Sequence, residues 1–165
     1  MIQDVYIKNM VCDRCIKLLK NEIEAQEIVL KEVVLGRVQL DIQDVSELDK
    51  LKNIIESNGF ERIDSDEDKL TEQVKIQLIK ILEKLPLDLK EKLSTHLSEK
   101  MHQDYSKVSK VFSSTEGITL EKYFIKLKIE KVKELIQTQE KNFTEISMLL
   151  DYNHINHLSR QFKAE

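Results

Sequence analysis

Up to Ile63 short alternating runs of apolar residues flank two helical stretches, and after it the apolar residues recur only at every third or fourth position. This change of period constrains the fold of the 165-residue chain more than any other feature. A spacing of two lines one face of a strand, and a spacing near 3.6 lines one face of a helix. Val5 and Ile7 alternate with Tyr6 and Lys8 and predict a first strand. Ile16, Leu19 and Ile23 share one face of a helix from about Asp13 to Ala25. A hairpin follows: Ile28 to Leu35, a turn at Gly36-Arg37, then Val38, Leu40 and Ile42 alternating with Gln39 and Asp41. Ser46 is placed to cap a helix carrying Leu48, Leu51, Ile54 and Ile55, Gly59 to end it, and Phe60 to Ile63 to form a short last strand. The order β-α-β-β-α-β over residues 1–64 is the split βαβ, ferredoxin-like arrangement, in which both helices cover one face of a four-stranded antiparallel sheet.

Residues 65–165 carry only the helical period. A helix over about 67–84 shows Leu70, Val74, Leu78, Ile81 and Leu82 along one face, and Pro86 stops it. Beyond it lies an internal repeat: Val108-Ser109-Lys110-Val111-Phe112 matches Leu158-Ser159-Arg160-Gln161-Phe162 at a spacing of 50, and each string ends a helix, turn, helix pattern. The first unit runs from Leu93 to Met101, turns at His102-Gln103-Asp104 and continues through Phe112. The second runs from Phe143 to Leu150, turns at Asp151-Tyr152-Asn153 and continues through Lys163. One long amphipathic helix, from about Thr119 to Gln139, joins them. The expected fold class is therefore α+β: a ferredoxin-like domain over 1–64, then an all-α domain over 65–165 made of two helix-turn-helix units and a connecting helix.

Charge separates the two parts. Residues 1–68 hold 9 Lys/Arg against 16 Asp/Glu, net −7, and residues 69–165 hold 17 against 14, net +3. Only the second part has the sign that a nucleic acid attracts. No stretch approaches the roughly 18 to 20 uncharged apolar residues that span a bilayer, and Met1-Ile2-Gln3-Asp4 lacks the basic head and apolar run of a secretion signal, so a cytosolic location with no membrane partner is expected. The sequence shows no nucleophile with a matched base, no phosphate-binding glycine loop and no carboxylate cluster beside a histidine, so an enzyme is not expected.

In a reducing compartment, two cysteines three positions apart point to metal or redox chemistry more than to a structural bridge. Cys12 falls in the loop after the first strand and Cys15 in the first turn of the first helix. Unpaired backbone N–H groups and the positive end of the helix dipole stabilise thiolate, the ligating form. Soft thiolates favour Cu(I) or Zn(II). Two sulfurs can complete a linear Cu(I) site, whereas tetrahedral zinc needs further ligands from Asp13, a histidine or a second chain. Residues 1 to about 64 resemble the heavy-metal-associated domain of copper chaperones and metal-pumping ATPases. Met10, Cys12 and Cys15 stand at the Met and Cys positions of the Gly-Met-x-Cys-x-x-Cys signature, Asn9 stands at its glycine, and Ile54 to Phe60 are similar to the closing helix, glycine and aromatic. The resemblance implies Cys12 and Cys15 as metal ligands and Met10 as a core side chain under the loop.

Residues 70–165 resemble the AraC family of transcription regulators. Gly117, Thr119 and Tyr123 open the linker helix as in that family, Lys128 stands where arginine is usual, Ile146 lies in the second unit, and the Leu-Ser-Arg-x-Phe-Lys string ends at Lys163. Asp151 stands where a glycine commonly makes the turn, and Asp tolerates the left-handed conformation. The chain stops at Glu165, before the family's usual closing segment, so a shortened C-terminal end is expected. The resemblance implies recognition helices in the major groove of double-stranded DNA. In the first unit the DNA face carries Gln103, Tyr105, Ser106, Lys107, Ser109 and Lys110; in the second, Asn153, His154, Asn156, His157, Arg160 and Lys163. Asn and Gln suit adenine, and Arg or Lys suit guanine or phosphate. Taken together, the expected function is a DNA-binding transcription regulator controlled by a soft metal. The alternatives are a DNA-binding protein whose first domain forms a homodimer or binds another effector, and a metal chaperone with a helical docking module.

Overall fold

The computed structural model describes residues 1–89 and 91–165 and is α+β, with one four-stranded antiparallel sheet and, among the described residues, eight helices. Two compact units divide it, Met1–Ile76 and Gln77–Glu165. In the first, β1 (Ile2–Lys8), α1 (Asp13–Ala25), β2 (Val29–Val34), β3 (Arg37–Asp41), α2 (Ser46–Ser57) and β4 (Glu61–Ile63) follow in order. The strands lie side by side as β2-β3-β1-β4, every neighbour antiparallel, with Val5 opposite Val38 and Tyr6 opposite Ile63. Alternation decides what is buried: Val5 and Ile7 of β1 and Val38 and Leu40 of β3 pack with Leu19 and Ile23 of α1 and Leu51, Ile54 and Ile55 of α2 in one core.

Two local expectations change. The hairpin turns at Leu35-Gly36, and Arg37 opens β3, where its guanidinium pairs with Asp4 at 3.0 Å and with Glu32 on the neighbouring strands. Ser46 is the first residue of α2 and not its cap, because Asp44 Oδ1 accepts the Ser46 N–H at 3.1 Å. Helix α3 (Asp66–Glu83) starts in the first unit and ends in the second. The reading from sequence divides the chain before this helix, whereas its first half belongs with the sheet: Lys69 Nζ sits 4.7 Å from the Tyr6 ring centre, and Glu72 accepts the Asn9 N–H.

Gly36 (φ +78°) also meets α3, since a Cβ built there lies 2.6 Å from Ile76 Cδ1. Gly59 has nearly the same φ, +76°, with nothing within 4 Å. An L side chain in the left-handed region costs about 1 to 2 kcal/mol, so Gly59→Ala is expected to destabilise by that amount. Gly36→Ala is expected to cost about 1 kcal/mol more, from forcing Ile76 aside. Urea denaturation of the two variants measures the difference, and equal midpoints would show that Ile76 yields freely.

The second unit is helical. It contains α4 (Leu93–Met101), α5 (Tyr105–Glu116), α6 (Leu120–Thr138), α7 (Phe143–Leu149) and α8 (Ile155–Ala164). Its helices are capped locally: Thr119 Oγ1 accepts the Lys122 N–H, Asn142 Oδ1 accepts the Glu145 N–H, and Gly117 (φ +74°) closes α5. Leu82, Leu87, Ile129, Val132, Ile146, Leu150, Tyr152 and Leu158 form its main core. No helix among the described residues is long and apolar enough to cross a membrane.

Candidate functional site

Cys12 and Cys15 meet at the start of α1. Cys12 has extended backbone (φ −154°, ψ 169°) just before the helix, and the Cys15 N–H donates to its carbonyl at 3.0 Å. The two Sγ atoms lie 3.8 Å apart, with no disulfide between them. Cys12 is exposed, whereas Cys15 is half-buried against the sheet core. The Cys15 backbone N–H holds the Cys12 thiol below its ordinary pKa; burial opposes the shift and the Arg14 N–H adds to it. This favours the thiolate. Met10, three residues after the end of the core run of β1, is fully buried beneath the loop.

The sulfur separation bears on which metal fits. At a metal–sulfur bond of about 2.3 Å, two thiolates span about 3.8 Å across a tetrahedral angle and about 4.6 Å when the ion is linear between them. The pair as it stands has the tetrahedral spacing, and the exposed Cys12 is the sulfur with room to rotate outward for linear Cu(I). Among the described residues no third His, Cys, Asp or Glu joins these thiols in a metal-sized group. A tetrahedral ion here therefore needs ligands from outside this set.

The other candidates lie on or just before α5 and α8. Ser106, Lys107 and Lys110 are exposed on α5, as are Asn156, His157, Arg160 and Lys163 on α8, with Asn153 and His154 exposed just before it. Residues 50 apart play matching parts: Val108 and Leu158 are fully buried, and Lys110 and Arg160 are exposed. Compared with protein-family models, curated proteins and solved structures, the chain gives no match.

Several of the twelve candidates are engaged or partly buried. The Tyr105 hydroxyl donates to Glu121 of α6 at 2.5 Å, and burial together with that carboxylate pushes its pKa up to about 12. Gln103 is half-buried, its Oε1 buried with no hydrogen-bond partner among the described residues. Ser109 is half-buried. His154 caps α8, its Nδ1 accepting the Asn156 N–H at 3.1 Å, and His157 packs edge-on against Tyr152.

Tyr152, read from sequence only as a turn residue, is a buried centre of this region. Its hydroxyl donates to Gln161, burial pushes its pKa up to about 12, and Lys128 Nζ sits 4.1 Å from its ring centre. Burial pulls the Lys128 ammonium below its ordinary pKa, and Asp151 opposes the shift. Neither the Tyr152 nor the Lys128 role shows in the hydrophobic period.

Proposed function

We propose that the chain is a sequence-specific DNA-binding transcription regulator, with a soft-metal site for Cu(I) or Zn(II) at Cys12 and Cys15 that controls it. The observation that carries this reading is the twofold helix pair, α4–α5 and α7–α8, with buried Val108 and Leu158 matched by exposed Lys110 and Arg160. Each pair is read as a helix-turn-helix unit, with α5 and α8 as recognition helices entering the major groove. The sequence resemblance to the AraC family supports this assignment. The strand order β2-β3-β1-β4 and the thiols at the head of α1 support a ferredoxin-like, heavy-metal-associated reading of the first unit.

The chemistry divides by residue. Cys12 and Cys15 would hold the ion as thiolates, and the metal supplies a charged cross-link between loop and helix. Arg160 presents a planar fork suited to guanine or phosphate, while Lys107, Lys110 and Lys163 supply point charges to the backbone. Asn153 and Asn156 suit adenine edges.

Arg160→Ala is expected to weaken DNA binding by about 1 to 3 kcal/mol if Arg160 reads a base. Lys110→Ala is expected to weaken binding to all sequences alike and to flatten the salt dependence by about one phosphate contact. Both should leave Cu(I) binding intact. Fluorescence anisotropy on labelled duplexes across a salt series checks this, and unchanged retention for both variants would count against the reading. A second reading is that the first unit forms a homodimer or takes another effector. Metal titration of the purified chain separates the two.

A further inference from the structure

Among the described residues Glu72 is the one buried acidic side chain, 6% exposed on α3 in the first unit. Its Oε1 accepts the Asn9 N–H at 3.1 Å, and its Oε2 lies 3.9 Å from the half-buried Lys75 ammonium. Burying a carboxylate is costly unless hydrogen bonds and a counter-charge offset it. Asn9 is also unusual: its φ is +74°, in the left-handed region that disfavours most L side chains. It directly precedes the fully buried Met10 and stands three residues before Cys12. A buried acid on α3 thus bonds to the backbone at the point where the chain leaves β1 to form the thiol loop.

We infer that Glu72 is a positioning residue for the thiol pair: by holding the Asn9 N–H, it fixes the left-handed bend that aims Met10 inward and presents Cys12 and Cys15 together. The role rests on the proposed metal site and adds a residue from outside the loop to it. A carboxylate bonded to a backbone N–H needs only an acceptor oxygen, so Gln can do the same work. Ala cannot. Loss of a partner that orients a metal ligand typically weakens metal binding about 10- to 100-fold, and here the hold passes through the backbone, so the low end, about tenfold, is expected.

The test uses the full chain as wild type, Glu72→Gln and Glu72→Ala, with two readouts. Amide hydrogen exchange at Asn9 in metal-free protein reports the hold itself, and competition for Cu(I) against a colorimetric chelator reports the site. Slower exchange at Asn9 in wild type and Glu72→Gln than in Glu72→Ala, with about tenfold weaker Cu(I) binding only in Glu72→Ala, is the expected pattern. Equal Asn9 exchange in all three proteins overturns the inference. Faster exchange in Glu72→Ala with undiminished Cu(I) affinity also overturns it, leaving Glu72 a purely structural group. If wild type takes up no Cu(I) while exchange still depends on Glu72, the metal reading of the site fails, and the positioning role falls with it. Should Glu72→Ala not fold, Glu72→Asp, whose carboxylate stops one carbon short of the Asn9 N–H, takes its place: faster exchange at Asn9 with weaker Cu(I) binding supports the inference, and undiminished Cu(I) binding overturns it.

Discussion

The Cys12→Ser/Cys15→Ser double variant is expected to lose tight Cu(I) binding altogether while keeping the circular dichroism and thermal transition of a folded first unit. Serine is nearly the size of cysteine, but its hydroxyl is neither ionised near neutral pH nor soft, so both ligands vanish at once. The two thiols contribute unequally to the fold. Cys12 is exposed and Cys15 packs partly on the core, so Cys15→Ser is expected to cost about 1 kcal/mol of stability and Cys12→Ser close to none. Each single variant should also abolish tight binding, because one thiolate cannot form the paired site. Equal Cu(I) affinity in the double variant and wild type would remove the metal from the account.

The largest stability effect is expected at Phe112. It is fully buried and meets Tyr123 edge-on, ring centres 5.2 Å apart. Truncation to Ala removes that contact and opens a cavity, at a cost of about 3 to 5 kcal/mol. This is comparable with the whole stability of a small domain. Its counterpart in the repeat, Phe162, is only half-buried and contacts Phe143 at 6.1 Å. Phe162→Ala is expected to cost about 1 to 2 kcal/mol. Thermal denaturation should therefore rank Phe112→Ala well below Phe162→Ala, and DNA retention should fail in the former near physiological temperature. Equal melting shifts would mean that the two helix pairs are buttressed alike, contrary to the burial observed.

The elements legible in the sequence are those whose signal is local. Alternation at Val5 and Ile7, the period of Leu19 and Ile23, and the start of the linker helix near Thr119 each depend on neighbours within a few positions, and the structure follows them. Asp151 at φ +59° follows the same logic, since Asp is one of the few residues that accept a left-handed turn. The failures involve long-range partners. Arg37 reads as a turn residue until its partners Asp4 and Glu32 are known. Glu72 reads as one more solvated acid on a helix, because the N–H it holds belongs to Asn9, 63 positions away. Tyr105 looks free for a base until Glu121, 16 positions on, takes its hydroxyl. At the thiol pair the two cysteines' position at the head of α1 was readable, and the 3.8 Å spacing and the unequal burial were not.

Metal control of DNA binding is the central claim, and thermodynamic linkage tests it most directly. A duplex selected from a random pool on the full chain is titrated with metal-free and Cu(I)-loaded protein across a salt series. The account predicts that affinity falls with salt in both states, as phosphate contacts require. It also predicts that the two curves are displaced by about 5- to 150-fold, the usual range for two coupled sites, with the displacement absent in the Cys12→Ser/Cys15→Ser protein. Superimposed curves for the metal-free and Cu(I)-loaded wild type would contradict it.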